Sequence, residues 1–299
     1  TTQRIQEMIS GSHRKGGAVS LTLNPAAQKA AIEALGNQRG AVVAVNPKTG
    51  AILAQVSTPS YDPNQLATHD SKAARAAYSQ LSTDKNRPLV NRAIGGDQYA
   101  PGSTFKMLTA TAMLENSNLT PDSIVDAPDT WTPPGTTHKI DNPGERSCGD
   151  GSGRVSLRQA FIQSCNTPFA MGGVNVGGKK MMAQAKKFGF GTTFETPQRV
   201  SSSRFPEPSS KSALAMDSIG QQDIRVTPMQ MALIGAGIAN DGVVMEPHIV
   251  KQTLTSDLDV ISTTKPKEFG RAMSKTTAKH MQEMMVADVE SGTGHRAAI

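Results

Sequence analysis

Pro101-Gly102-Ser103-Thr104-Phe105-Lys106, followed by the apolar run Met107–Leu114, is the most informative stretch of the chain. Proline and glycine interrupt regular structure, so a buried helix is expected to begin here. In the first turn of that helix, unpaired N–H groups and the helix dipole favour negative charge near Ser103. Lys106 lies on the same helical face, three residues later. A lysine in a dry pocket has a lowered pKa, so Lys106 can act as the base that activates Ser103 for covalent acyl transfer.

The Ser-x-x-Lys pattern alone is weak evidence, because it occurs at four serines, Ser12, Ser82, Ser103 and Ser262. Ser12 and Ser82 lie in polar, charged stretches, and the lysine that follows Ser262 directly precedes Pro266. None of these three places can exclude water from a lysine. Only Ser103 begins a long apolar helix, so only this copy is a candidate nucleophile.

A second motif, Ser164-Cys165-Asn166, is the single Ser-x-Asn of the chain. It follows the amphipathic stretch 155–162, which places it at the end of a helix or in the turn after it. Both side chains of such a turn can face one cleft, with Ser164 relaying protons with Lys106 and Asn166 holding a substrate amide. An ordinary polar turn is the alternative interpretation. Ser-x-x-Lys followed by Ser-x-Asn is, however, the motif order of penicillin-recognising acyl transferases.

The third motif of that set is Lys-Thr-Gly, and the copy in this chain is in the wrong place. Lys48-Thr49-Gly50 falls in a turn between two strand-like runs, 41–45 and 51–56. The catalytic motif should follow Ser-x-Asn and lie on a strand beside the serine. We therefore assign Lys48 to a solvated hairpin tip. The chain ends at 291–299, a Gly-rich turn, without another Lys-Thr-Gly.

With these motifs, the chain resembles the transpeptidase domain of class B penicillin-binding proteins, most closely the actinobacterial A-type. Further stretches that carry the resemblance are Pro59–Asn64, Asn91–Ala93, Ser218–Gln221 and Ile238–Gly242. The resemblance implies that Ser103 is the nucleophile, Lys106 its base, Ser164 a proton relay and Asn166 a ligand of the substrate amide. It also implies an oxyanion hole that includes the Ser103 N–H.

The resemblance implies a mixed α+β fold of the penicillin-binding transpeptidase and serine β-lactamase type, an antiparallel sheet flanked by helices. In the family this sheet has five strands, and we expect the last three to be missing from this chain, with Lys-Thr-Gly following shortly after Ile299. Residues 1–15 are expected to be the remnant of a linker or N-terminal pedestal. Residues 16–299 are expected to be the transpeptidase domain, truncated before the Lys-Thr-Gly strand.

Local signals predict several helices. Asn24 caps a helix that starts at Pro25 and ends at Gly36. Thr227-Pro228-Met229-Gln230 is predicted to form a capping box, with proline at the first helical position, and to open an Ala/Gly-rich helix that runs to Asn240. Ser274 caps a last helix, whose inner face carries three methionines that we interpret as core: Met281, Met284 and Met285.

The chain has two cysteines, Cys148 and Cys165. They could be two independent thiols. Disulfides persist outside the cytoplasmic membrane, however, and Cys165 lies within the Ser-x-Asn motif. We favour a disulfide that pins the loop around Cys148 beside the active site. That loop is part of residues 120–153, which with residues 200–211 form two long predicted loops of the kind that line active sites.

Composition limits the function further. The chain of 299 residues is 37 % apolar, enough for one large domain with its own core. Its net charge of +6 fits simple solubility and would also suit an anionic cell wall. The family resemblance implies a position at the extracytoplasmic face of the bacterial membrane, with the anchor absent from this chain. Aromatic content is 4 %, and we predict no nucleic-acid binding. The histidines lack metal-ligand spacing, so no metal or cofactor is predicted.

Three hypotheses follow. The first is a D,D-transpeptidase that cross-links peptidoglycan stem peptides, is acylated by β-lactam antibiotics and works with cell-wall synthesis or division proteins. The second is a serine β-lactamase or β-lactam sensor, but no glutamate lies in a loop suited to activating water, and the Ser-x-Val of the oxacillinase type is absent. The third is a non-catalytic scaffold of the same fold, against which the intact Ser103, Lys106, Ser164 and Asn166 argue.

Overall fold

The computed structural model describes residues 16–298, and the predicted linker or pedestal over residues 1–15 lies outside them. Within that range the α-helices are α1 (Pro25–Leu35), α2 (Ser71–Thr83), α3 (Lys106–Asn116), α4 (Leu157–Ile162), α5 (Thr167–Val176), α6 (Gly178–Lys187), α7 (Lys211–Ser218), α8 (Pro228–Ala239) and α9 (Lys275–Ser291). The strands are β1 (Ala18–Leu21), β2 (Gly40–Val45), β3 (Ile52–Thr58), β4 (Ile124–Asp126), β5 (Thr130–Trp131), β6 (Ile140–Asp141), β7 (Arg154–Ser156), β8 (Phe194–Glu195), β9 (Arg199–Val200), β10 (Val243–Met245), β11 (Val250–Leu254), β12 (Val260–Thr263) and β13 (Glu268–Arg271). The strand ladders are antiparallel, which fits the predicted mixed α+β class.

Strands β2 and β3 form the predicted hairpin, and helices cover both of its faces. Period-two alternation of a strand places Val42 and Val56 on one face, where they pack with Ala31 of α1. Val43 and Val45 contribute to the other face, which packs against the main core. Among the described residues this ladder has no third strand.

Helix α3 lies at the centre of the main core. Its residues 108–114 are all buried, as the apolar run in the sequence predicts. Helices α5, α6 and α9 pack around it. Each fully buried Leu or Phe side chain contributes about 1.5–3 kcal/mol of hydrophobic free energy. This burial holds the start of α3, and therefore Ser103 and Lys106, against a rigid support.

The predicted helix caps are present. The Asn24 side chain accepts the Ala27 N–H at the start of α1, and the Ser274 side chain accepts the Thr277 N–H at the start of α9. Thr227 accepts the Gln230 N–H of α8 in the same way. The reciprocal half of that capping box is not formed, because the Gln230 side chain donates to the carbonyl of Phe188. Of the three methionines in α9, Met281 and Met284 are buried in the core, as predicted.

Two parts of the architecture differ from the sequence prediction. A three-stranded sheet of order β1-β11-β12 was not anticipated, because it pairs Ala18 with Leu254 across most of the chain. Residues 120–153 were predicted to form a loop, but they contain β4, β5 and β6. These strands are only two or three residues long, too short to show an alternating pattern in the sequence.

Lys48 lies on the turn of the β2–β3 hairpin, as predicted. Its side chain is 65 % exposed, and its Nζ lies 3.8 Å from the Asp241 carboxylate. An exposed ion pair of this kind contributes about 0–1 kcal/mol. The structure therefore gives Lys48 a surface position only.

We expect Lys48→Ala to leave the rate of acylation by a β-lactam within about twofold of the parent rate, as for a surface change away from the site. The measurement is the rate of adduct formation followed by intact-mass spectrometry. Asp241→Ala, which removes the other partner of the ion pair, is the control. A large loss in Lys48→Ala alone would show that Lys48 belongs to the catalytic motif.

Among the described residues, no helix is both long enough and apolar enough to cross a membrane. The four lysines of α6 are exposed and fit the polar face predicted for that helix: Lys179, Lys180, Lys186 and Lys187.

Candidate active site

Ser103 lies in a 3-10 turn, Gly102–Phe105, that leads directly into α3. The sequence predicts the first turn of an α-helix, and the observed turn is tighter. Ser103 is exposed, whereas Phe105 in the same turn is completely buried and makes edge-on contacts with Phe190 and Phe205 at ring-centroid distances of 6.0 and 5.8 Å. Phe105 thus anchors the turn in the core while Ser103 faces the cleft.

The backbone of Gly220 packs directly against the turn that carries Ser103. The Gly102 N–H donates to the Gly220 carbonyl at 2.9 Å. Gly220 has a φ of 77°, and a Cβ at this position would lie 2.0 Å from the Gly102 carbonyl oxygen. Only glycine allows the two backbones to approach this closely.

We expect Gly220→Ala to displace the Ser103 turn and to slow β-lactam acylation by about tenfold to a hundredfold, the usual cost of a misplaced reacting group. The matched control is Gly153→Ala, because Gly153 has a φ of 76° with nothing within 4 Å of its Cβ position. Both variants should lose about 1–3 kcal/mol of unfolding free energy from backbone strain. If both were acylated at the same rate, the Gly102–Gly220 contact would have no role in positioning Ser103.

Ser164 ends helix α4 in a Schellman motif. Its φ is 53°, its N–H donates to the Phe161 carbonyl, and the Cys165 N–H donates to the Ala160 carbonyl. Glycine usually occupies this left-handed position, and a serine there carries backbone strain of about 1–3 kcal/mol. The two hydrogen bonds of the motif fix the turn, and the serine places a hydroxyl there that glycine would not provide.

Lys106 connects the two motifs. Its Nζ lies 3.1 Å from Ser103 Oγ, 3.2 Å from Ser164 Oγ, 2.6 Å from the Ser164 carbonyl oxygen and 2.7 Å from Asn166 Oδ1. The structure therefore brings all four predicted site residues together. The lysines of the Ser82 and Ser262 copies, Lys85 and Lys265, are exposed, whereas Lys106 is 2 % exposed.

Burial lowers the pKa of Lys106 to about 7, because the charged form loses its hydration. A neutral amine has two N–H donors and one lone pair. The Ser164 carbonyl and Asn166 Oδ1 can only accept, so they take the two N–H groups. The lone pair of Lys106 is then left to accept a proton from the hydroxyl of Ser103 or of Ser164.

The side chain of Asn166 is held at both ends. Its Oδ1 accepts from Lys106, and its Nδ2 donates to the carbonyl of Asp141 at 2.7 Å. One hydrogen of the amide group and one lone pair of its oxygen remain for a substrate amide. The β5–β6 hairpin, which ends at Asp141, thus supports the second motif.

The structure contains the disulfide between Cys148 and Cys165 that the sequence analysis favours, with the two Cα atoms 5.9 Å apart. Beside it, the Gly149 N–H donates to the side-chain oxygen of Gln163 at 2.7 Å. Both bonds tie the loop around Cys148 to the end of α4, next to Ser164.

We expect the double variant Cys148→Ser/Cys165→Ser to lose about 3 kcal/mol of unfolding free energy, because the bond closes a loop of 17 residues in the unfolded chain. The measurement is denaturant unfolding of the parent and the variant. Thiol titration of the parent under denaturing, non-reducing conditions should find no reactive thiol. Two reactive thiols would contradict the bond.

Ser103, the candidate nucleophile, faces a cavity of about 380 Å³. Ser103, Lys106 and Ser164 line it together with apolar side chains from α4 and α9: Phe161, Met285 and Val289. Met285, which the sequence analysis places in the core, thus also lines this cavity. Among the other lining residues, Asp288 and Thr293 carry polar side chains that no sequence motif marks. Lys48 is not among the lining residues.

In this structure the Ser-x-x-Lys turn begins a buried central helix and faces a Ser-x-Asn turn across one cleft. This arrangement is typical of penicillin-recognising proteins. Residues 40–299 match the family model described as "Penicillin binding protein transpeptidase domain", and the chain belongs to this family. It is 42 % identical over 99 % of its length to a peptidoglycan D,D-transpeptidase PbpA of Mycolicibacterium smegmatis, and 40 % identical over 95 % of its length to the PbpA of Mycobacterium tuberculosis.

A solved structure agrees with the sequence matches. The penicillin G acyl-enzyme complex of penicillin-binding protein A from M. tuberculosis superimposes on 97 % of this chain with a TM-score of 0.91 and 39 % identity, and 67 % of that chain is covered. The predicted fold class and the predicted family are thereby confirmed. The chain spans 61 % and 58 % of the length of the two PbpA relatives.

Proposed function

We propose that this chain carries peptidoglycan D,D-transpeptidase activity and cross-links stem peptides through an acyl-enzyme on Ser103. The observation that carries the proposal is the position of Lys106 Nζ, 3.1 Å from the Ser103 hydroxyl and 3.2 Å from the Ser164 hydroxyl in a buried site. The names of the PbpA relatives and the acyl-enzyme structure of the M. tuberculosis protein support it.

In the acylation step, the Ser103 Oγ attacks the carbonyl carbon of the terminal D,D-peptide bond. Its proton passes to the neutral amine of Lys106 as the new O–C bond forms. The C–N bond of the substrate then breaks, and the proton passes from Lys106 through the Ser164 hydroxyl to the leaving amine. Asn166 holds the substrate amide during both events.

In the second step, the amine of another stem peptide attacks the acyl-enzyme carbonyl. It gives its proton to Lys106 through the same hydroxyl, the Ser103 O–C bond breaks and Ser103 recovers its proton. The role of the Ser103 N–H in an oxyanion hole stays a prediction.

The proposal is tested by incubating the protein with penicillin G and digesting it. One adduct should map to the peptide that contains Ser103. Its lifetime should be much longer than the time a β-lactamase needs for one turnover. Rapid release of hydrolysed penicillin would instead indicate a β-lactamase. Absence of any adduct on folded protein would support the non-catalytic scaffold.

The site of action and the partners belong to the same proposal. Peptidoglycan lies outside the cytoplasm, and the disulfide beside the active site suits an oxidising compartment. We place the protein at the extracytoplasmic face of the membrane, where cell-wall synthesis or division proteins would be its partners. Cross-linking in living cells followed by identification of the captured proteins tests this part.

A further inference from the structure

Helix α5 begins directly after the Ser-x-Asn motif, and its first residue is Thr167. Asparagine is a preferred N-cap residue, whose side-chain oxygen normally accepts a backbone N–H of the helix it precedes. Asn166 occupies the N-cap position of α5, yet its side chain makes no capping hydrogen bond. The Asn166 side chain instead bonds Lys106 and the Asp141 carbonyl. The capping role is therefore left to another group.

Asn142, in the loop after β6, supplies the missing cap. Its Oδ1 accepts the Asn166 N–H at 2.8 Å and the Thr167 N–H at 3.1 Å. The next residue, Pro168, has no N–H. One side-chain oxygen thus satisfies two of the unpaired donors at the start of α5, and proline removes a third.

The other end of the Asn142 amide is anchored. Its Nδ2 donates to the carbonyl of Pro128 at 3.1 Å, and the Thr167 hydroxyl donates to the same carbonyl at 2.7 Å. Asn142 is only 4 % exposed, so these bonds form away from water, where an unpaired polar group costs most. The side chain is a fixed bridge between Pro128 and the start of α5.

We propose that Asn142 is a positioning residue of the active site: by holding the backbone N–H groups of Asn166 and Thr167, it directs the Asn166 side chain toward Lys106. The inference rests on the proposed function, and it names a residue that the Ser-x-x-Lys and Ser-x-Asn motifs do not contain. Without Asn142, the two N–H groups of α5 are buried and unpaired. The backbone of Asn166 is then released from the Asn142 bridge, which moves Oδ1 out of reach of Lys106.

The first test compares the acylation rate of Asn142→Ala with that of the parent, using penicillin G and intact-mass spectrometry. We expect a loss of about tenfold to a hundredfold, the cost of misplacing a catalytic group. Asn118→Ala is the matched control, because Asn118 is exposed. A folded Asn142→Ala that is acylated at the parent rate overturns the inference.

A double-mutant cycle separates positioning from general stability. In an Asn166→Ala background, Asn142→Ala should slow acylation by less than about threefold, because the side chain it positions is already gone. The loss of unfolding free energy caused by Asn142→Ala should be the same in both backgrounds. An equal loss of acylation in both backgrounds would show a merely structural role and overturn the inference.

A spectroscopic test does not depend on acylation. In the parent, the side-chain amide proton of Asn166 that bonds the Asp141 carbonyl should exchange more slowly with solvent than its unbonded partner. In Asn142→Ala this protection should be lost, while the buried backbone amides of α3 remain protected. An unchanged Asn166 signal overturns the inference, whether or not the parent protein is acylated. Failure of the parent protein to be acylated would instead contradict the proposed function.

If Asn142→Ala does not fold, Asn142→Asp carries the test. Aspartate keeps the oxygen that accepts from α5 but loses the N–H bond to Pro128, so the bridge is cut at one end. We expect an intermediate loss of acylation, about threefold to tenfold, and faster exchange of the Asn166 side-chain amide. Parent-like values for both measurements would overturn the bridge.

Discussion

Replacing Ser103 by alanine is expected to abolish acylation by penicillin G, because alanine has no hydroxyl oxygen to form the acyl bond. Both Ser103 Oγ and Ser164 Oγ lie near the buried amine of Lys106, at 3.1 and 3.2 Å, but Ser103 is on an exposed turn where a substrate can reach it, whereas Ser164 is half-buried. Intact-mass spectrometry over a range of incubation times measures the effect.

Ser82→Ala is the matched control for this prediction. Ser82 is also followed by a lysine three residues later, but both of these side chains are exposed at the end of α2. This variant should be acylated at the parent rate. An adduct that persists in Ser103→Ala, or one that disappears in Ser82→Ala, would show that the nucleophile is elsewhere.

Replacing Lys106 by arginine is expected to slow acylation by about 10²–10⁴, the usual contribution of a general base. Arginine stays protonated at all working pH values and cannot accept the serine proton. Lys85→Arg, at an exposed position, is the matched control. Thermal unfolding of Lys106→Arg shows whether the larger side chain is accommodated. Near-parental acylation of the folded variant would refute the base role.

The pH dependence of acylation gives a second measurement on Lys106. Burial lowers its pKa to about 7, so the amine is protonated and inactive below that pH and neutral and active above it. The acylation rate of the parent should therefore rise through pH 7 and level off at higher pH. Lys106→Arg should lack this rise. A parent rate that falls as the pH increases through 7 would contradict a neutral lysine base.

Much of the site could be predicted from the sequence because each motif is local. The turn at Pro101-Gly102 and the apolar run after it mark Ser103 and Lys106, since one helix turn puts them on the same face. Ser164 and Asn166 are marked by their spacing and by the amphipathic stretch before them. The disulfide could be proposed because the chain has only two cysteines, so that a single pairing exists.

Asn142 could not be recognised in this way. Its function depends on Asn166 and Thr167, which lie 24 and 25 residues further along the chain, and on the carbonyl of Pro128. Backbone groups are present at every position, so a hydrogen bond to them leaves no pattern of residue types. Met285 packs against the core, as predicted, but its place in the cavity lining was missed for a related reason. An apolar side chain that lines a cleft looks the same in sequence as one in the interior.

The sequence by itself determined the local elements: the caps of α1, α8 and α9, the β2–β3 hairpin and the helix that begins after Ser103. These elements depend on contacts between residues a few positions apart, which their side-chain pattern records. Only the tertiary structure decided the three-stranded sheet, the left-handed backbone of Ser164 and the four contacts of Lys106, three of which join it to residues 58 or 60 positions away. The physical reason is that such contacts form only when packing of the whole core brings distant segments together. This packing depends on many segments at once, so no single stretch of sequence predicts it.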